Sequence, residues 1–203
     1  MEDGLVEYPL MEHFYTIQGE GANTGKPAYF LRLGGCDVGC VWCDVKDSWD
    51  AHKHPKVSVA EMLKFVQDSQ ARNVVITGGD PLMYDLNSLT RVFKSAGYNL
   101  WLETSGAYPL SGQWDWIVLS PKKFKQPVPG IHKQAQELKV VVYHPSDLDW
   151  AMQHARLTSP NCLLFVQPEW GRREKVHPIL VEFVKSNPQW QISLQTHKYL
   201  EIP

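Results

Sequence analysis

A chain of 203 residues that is 43% hydrophobic can bury one substantial core but is short for two full domains, so a single domain over 1–203 is expected. A formal charge of -2 and a pI near 6.4 exclude a global basic field for nucleic acid and favour a small-molecule substrate. Neither a basic, apolar leader nor an apolar run of about 18 residues occurs, which argues against export or membrane spanning and makes the reducing cytoplasm the expected location.

In chain order, the first polar segment is Gln18-Gly19-Glu20-Gly21. Glutamine offers both donor and acceptor and glutamate accepts, so together they can read an amide-like heterocycle edge; on composition alone the segment is a polar loop. An expected strand at 29–33 carries Arg32, whose planar fork can clamp a carbonyl or carboxylate. It runs into Cys36-Asp37-Val38-Gly39-Cys40-Val41-Trp42-Cys43. Three thiols this close can hold one inorganic centre. An iron–sulfur cube usually takes four thiolates, so three leave one iron open to a small molecule. A closed structural zinc site would need a fourth ligand, such as Cys162 or one of the eight histidines. A disulfide would leave an odd thiol.

Beyond residue 57 helical stripes alternate with short apolar runs, the rhythm of a parallel sheet. Ser58 to Glu61 reads as a capping box ahead of Val59, Met62, Leu63 and Val66. Leu86, Leu89, Phe93 and Ala96 mark a second helix stopped by Gly97. A third, with Leu148, Ala151, Met152 and Ala155, is expected to be capped by Ser146, and Val176, Ile179, Leu180 and Phe183 give a fourth stripe. Further strands are expected at 74–77, 100–104, 116–120, 138–142, 163–167 and 191–195. Their carboxyl ends carry Thr77-Gly78-Gly79-Asp80, Glu103-Thr104-Ser105-Gly106, Ser120-Pro121-Lys122 and Gln167-Pro168-Glu169-Trp170. In parallel α/β folds ligands sit at that rim. Each of these segments has a plainer reading as a turn, a cap or a strand terminator. Residues 122–133 suggest a loop. The tail from Gln195 to Pro203 holds apolar residues and is expected to dock, with its terminal carboxylate free to accept.

The spacing of the three cysteines, with an aromatic just before the last, resembles the cluster loop of radical S-adenosylmethionine (SAM) enzymes. Together with residues 16–21, 77–81, 120–122 and 195–198, the resemblance narrows to the 7-carboxy-7-deazaguanine synthase family and runs from end to end. It implies an α/β fold, a reduced, partial (β/α) barrel with mostly parallel strands, forming a single radical SAM domain. It implies conversion of 6-carboxy-5,6,7,8-tetrahydropterin to 7-carboxy-7-deazaguanine with release of ammonia, on the route to queuosine and related deazapurines. Cys36, Cys40 and Cys43 would hold a [4Fe-4S] cluster whose open iron binds SAM. Trp42, Asp44, Gly78, Gly79, Asp80, Ser105, Ser120, Pro121, Lys122, Gln167, Pro168, Glu169 and Trp170 would surround SAM. Ile17, Gln18, Gly19, Glu20, Arg32, Thr77, His197 and the Pro203 carboxylate would surround the pterin. The implied partners are a flavodoxin or ferredoxin as electron donor and a second copy in a homodimer. Alternatives are another small radical SAM enzyme, such as a glycyl-radical activase, and a non-catalytic zinc or iron–sulfur module.

One position departs from the resemblance. Many members carry a threonine two residues after the last cysteine, where its hydroxyl helps bind Mg²⁺; here Val45 offers no oxygen to a hard cation. Magnesium held by Asp44, substrate and water, another cation, and no metal are the three outcomes, and weak or absent Mg²⁺ dependence is expected.

Overall fold

The computed structural model describes residues 2–203. Nine strands form one sheet: β1 (Glu7–Ile17), β2 (Pro27–Leu33), β3 (Lys56–Ser58), β4 (Asn73–Gly78), β5 (Asn99–Thr104), β6 (Trp116–Leu119), β7 (Glu137–Val142), β8 (Leu163–Pro168) and β9 (Trp190–Ile192). Their order is β3-β1-β2-β4-β5-β6-β7-β8-β9. Neighbours from β2 to β9 pair in parallel, and β1 is antiparallel to both β2 and β3. Since β3 and β9 are not paired with each other, the array stays open, a partial rather than a closed (β/α) barrel.

Strand alternation sorts residues between two faces. Outward go Leu31, Ile76, Leu102, Leu119 and Val140, all 0–1% exposed, into the main core against the helices. Those helices are α1 (Val59–Gln67), α2 (Asn87–Ser95), α3 (Asp147–Ala155) and α4 (Arg173–Ser186); the short α5 (Thr196–Leu200) closes the chain. Inward, the amino-terminal half of the sheet presents a second apolar cluster of Ala28, Phe30, Val75, Trp101 and Trp116. Farther along β2, β4 and β5 come Arg32, Thr77 and Glu103, joined by Lys139 on β7. The interior thus changes from an aromatic floor to a polar rim within a few residues.

The Ser58 capping box forms as expected: Glu61 N–H donates to Ser58 Oγ at 3.3 Å and Ser58 N–H to the Glu61 carboxylate at 3.1 Å. Gly97 follows α2 with φ +84°. The α3 cap differs. Ser146 is in a helical conformation with no side-chain cap bond; instead the Asp147 carboxylate accepts the N–H groups of Tyr143 and His144, each at 2.8 Å. Those two donors precede the helix, so the carboxylate braces the turn between β7 and α3, while the first-turn N–H groups of Asp147 and Leu148 go to the His144 and Pro145 carbonyls at 2.8 and 3.1 Å.

Two strands end earlier than expected. β6 ends at Leu119 and β9 at Ile192, so Ser120 and 193–195 lie beyond the ladder. The long β1 was not assigned from the sequence. Pro9, Glu12 and His13 interrupt its apolar residues, and its pairing slips between Leu10 and Glu12, so it has no clean two-residue period.

Candidate active site

At the carboxyl ends of the parallel strands lies a cavity of about 270 Å³. The loop after β2 carries Cys36, Cys40 and Cys43 to its wall, and all three thiols are free of disulfides. Backbone bonds hold this loop: Gly35 N–H to Ser48 O at 2.6 Å, Cys36 N–H to Trp49 O at 3.1 Å and Asp80 N–H to Gly35 O at 2.9 Å. A Cβ on Gly79 would collide with the Gly35 carbonyl and with Cys36. The space freed by this glycine is therefore filled by the cluster loop itself. Burial pushes the Cys36 thiol up and the Cys40 thiol to about 11, the latter opposed by Lys122. Three free thiols that line the cavity from one braced loop fit a [4Fe-4S] cluster, each of which would bind a separate iron as thiolate.

Around this loop the cavity is lined by Trp42, Asp44, Gly78, Gly79, Ser105, Ser120, Lys122, Gln167, Glu169 and Trp170. Lys122 Nζ lies 5.6 Å from the Trp42 ring centre, and burial lowers its pKa. Pro121 and Pro168 do not line the cavity. Asp80 does not either; it is 1% exposed and turned inward. Its carboxylate accepts from Thr104 Oγ1 at 2.7 Å, from Leu82 N–H at 3.3 Å and from both the N–H and hydroxyl of Ser105. The physical reason is the ring of donors at the end of β5, which ties the glycine turn to that strand. Ser105 thus reaches the cavity with its hydroxyl already engaged.

The cavity is also lined by Ile17, Gln18, Gly19, Glu20, Arg32, Thr77, His197 and Pro203, so the tail does fold back to it. Arg32 Nε donates to Glu12 on β1 at 2.6 Å. The imidazole of His197 presses on Gly19, where a Cβ would collide with it, and burial lowers its pKa against the pull of Glu20.

A buried charge cluster also lines the cavity. Lys139, 3% exposed, donates to Glu20 at 2.6 Å and to Glu103 at 2.9 Å. Gln18 reaches Glu103 at 3.3 Å and Gln195 reaches Glu20 at 3.1 Å. Burial alone would raise both carboxyls. At Glu20 the Lys139 ammonium and Gln195 overcome it and hold the group at about 2. At Glu103 burial prevails over Lys139 with help from Glu20, and the pKa is raised. Lys139, opposed by two carboxylates, stays protonated. Sequence reasoning does not single out Lys139, and it names Glu103 and Gln195 only within the rim and tail segments, with no role of their own. The available signal was a charged residue inside otherwise apolar strands: Leu138-Lys139-Val140 and Leu102-Glu103-Thr104.

Next to Val45 the Asp44 carboxylate is taken by Lys198 Nζ at 2.9 Å and Gln195 at 3.3 Å. The valine side chain supplies no ligand to a divalent cation, and Asp44 Oδ2 is already engaged by an ammonium.

A partial parallel barrel with a three-thiol loop at its mouth is the architecture of a radical SAM enzyme, and the family model described as the Radical SAM superfamily matches residues 31–117. The chain is 50% identical to the 7-carboxy-7-deazaguanine synthase of Flavobacterium psychrophilum, over 96% of this chain and 92% of that one. It is 32% identical to the enzyme of that name from Escherichia coli K12, over 97% and 100%. The crystal structure of QueE from Escherichia coli superposes with a TM-score of 0.84 at 31% identity, covering 96% of each chain. The chain belongs to the 7-carboxy-7-deazaguanine synthase family.

Proposed function

We propose that this chain converts 6-carboxy-5,6,7,8-tetrahydropterin to 7-carboxy-7-deazaguanine with release of ammonia, acting as a single radical SAM domain over residues 1–203. One observation carries the reading: three free thiols and a buried ammonium–dicarboxylate cluster open into the same cavity. When bound, the [4Fe-4S] cluster and SAM supply the one-electron chemistry.

The chain's own residues do the rest. Gly78, Gly79, Ser120, Lys122, Gln167, Glu169 and Trp170 form the SAM side, and Trp42 and Asp44 stand between the two ligands. Gln18, Glu20, Arg32, Thr77, His197 and the Pro203 carboxylate form the pterin side. Glu20, ionised throughout the neutral range, accepts from pterin N–H groups. Glu103, whose pKa burial raises, accepts from Gln18 and from Lys139 and holds that ammonium beside the substrate. Phe14, Phe30, Trp49 and Val141 line the cavity and keep water away from the reacting carbon. Magnesium has no part in this reading, because Lys198 already occupies Asp44. A reduced flavodoxin or ferredoxin as donor, a homodimer and a cytoplasmic location complete it. No helix among the described residues is long and apolar enough to cross a membrane.

The partition of the cavity is tested with reconstituted Glu20→Ala and Arg32→Ala enzymes. Each is expected to raise the pterin KM by about tenfold or more, the loss of a charged hydrogen-bond partner, while SAM affinity in an equilibrium titration stays within about twofold. Loss of SAM affinity to the same degree would overturn the partition.

A further inference from the structure

Glu137 lies behind the cavity, on the same inward face of β7 as Lys139 and two residues before it, and is 1% exposed. Its Oε2 accepts the Ala22 N–H at 3.1 Å and the Trp116 Nε1–H at 3.2 Å. Its Oε1 has no hydrogen-bond partner. Gly21, at φ +63°, is so close that a Cβ there would collide with Oε1; both the dihedral and the space require glycine. The Gly21 N–H donates to Ser193 Oγ at 2.9 Å, and that hydroxyl donates to Gln167 at 2.7 Å. The 3₁₀ turn Gly21–Asn23 is thus clamped between the start of β7 and the residue just past β9. Immediately before the turn stands Glu20, which faces Lys139 and Gln195 in the cavity.

Charge at Glu137 would be poorly matched. The groups facing it are Lys139 on its own strand, Glu103 on β5 and the Cys162 thiol ahead of β8. Lys139 is the only cation among them, and Glu20 and Glu103 already oppose it. A buried carboxylate with one bare oxygen costs more than the corresponding acid. In agreement, burial pushes this carboxyl up to about 7, Lys139 opposing and Glu103 reinforcing.

We infer that Glu137 is a positioning residue for substrate binding that acts as the neutral acid, its carboxyl setting the Gly21–Ala22 backbone and through it the direction of Glu20. This rests on the function proposed above, because Glu20 is taken as a pterin ligand. Glu137 touches neither ligand. Its role is to hold the loop from behind, and its ionisation loosens that hold.

The experiment compares reconstituted wild type, Glu137→Gln and Glu137→Leu from about pH 6 to about pH 8.5. Glu137→Gln keeps both bonds to Oε without a charge, so its pterin KM stays within about twofold of wild type near pH 6 and lacks the rise that wild type shows above about pH 7. Glu137→Leu raises the pterin KM by about tenfold or more, with a smaller fall in kcat. An unchanged KM in Glu137→Leu, or a Glu137→Gln enzyme as impaired as Glu137→Leu, overturns the inference. A second readout needs no turnover. A carboxyl raised above its unfolded value holds an extra proton when folded, so its contribution to stability falls as pH rises from about 4.3 to about 7. The Tm of Glu137→Gln therefore gains on that of wild type across this interval; a constant difference overturns the neutral-acid claim even if the pterin proves not to be the substrate. Absence of product from wild type would instead defeat the proposed function.

Discussion

Lys139 sits at the crossing point of the whole site, with Glu20 on one side and Glu103 on the other and almost no solvent around it. A buried ammonium survives only when its charge is matched, and here the matching groups are the ones that face the substrate. Lys139→Met keeps the chain length and removes the charge, leaving two buried carboxylates with no cation between them. Removing one partner of a buried ion pair costs about 3–5 kcal/mol, so urea unfolding at neutral pH should show a loss of about that size. Protonation of the stranded carboxyls should return part of it at lower pH. A loss under about 1 kcal/mol would show that the cluster is solvated and contributes little. None of this was legible from composition, since a lysine in an apolar run reads first as an exception and only the pairing of β5 and β7 through β6 reveals its partners.

Elements are joined in this fold by pairs that a sequence does not announce. His132, in the turn Ile131–Gln134, and His154, near the end of α3, place Nε2 and Nδ1 2.7 Å apart in the core. One ring must donate and the other accept, so both facing nitrogens cannot carry a proton at once. Burial, then the neighbouring His132, depresses His154 to about 4. The sign follows directly. In the unfolded chain a histidine binds its proton below about 6.5, while the folded one does not until about 4, so stability is intact above that upper value and is lost as pH falls through the interval. The loss attributable to His154 over that interval is on the order of 3 kcal/mol. His154→Asn should therefore show a flatter dependence of urea midpoint on pH between about 7 and about 5 than wild type does. Equal slopes would contradict it. The helices themselves were readable from their stripes and caps, because a 3.6-residue period and a Ser–Glu capping pair are local. What failed was also local in origin: Ser146 takes a helical conformation and makes no cap bond while Asp147 braces the turn before α3, and β1 has polar and proline residues where a period was sought.

For the molecule as a whole, the parallel strands and the rim they deliver could be read before any coordinates, since short apolar runs ending in Gly-Gly, Ser-Pro-Lys or Gln-Pro are properties of single segments. Which side chains of that rim face inward depends on register and on the turn each strand makes. Asp80 is the instructive case: its position at the rim was visible, and its turn into the Thr104 and Ser105 hydroxyls was not. The central claim is that both halves of the cavity serve one reaction without a divalent metal. Its most direct measurement is anaerobic turnover with iron- and sulfide-reconstituted chain, SAM, reductant and 6-carboxy-5,6,7,8-tetrahydropterin, in chelator-treated buffer and again with added Mg²⁺, with products read by mass spectrometry. The account predicts 7-carboxy-7-deazaguanine at rates within about twofold in the two buffers, because Val45 offers no oxygen and Asp44 is held by Lys198. SAM cleavage without that product, or product that forms only when Mg²⁺ is supplied, would contradict it.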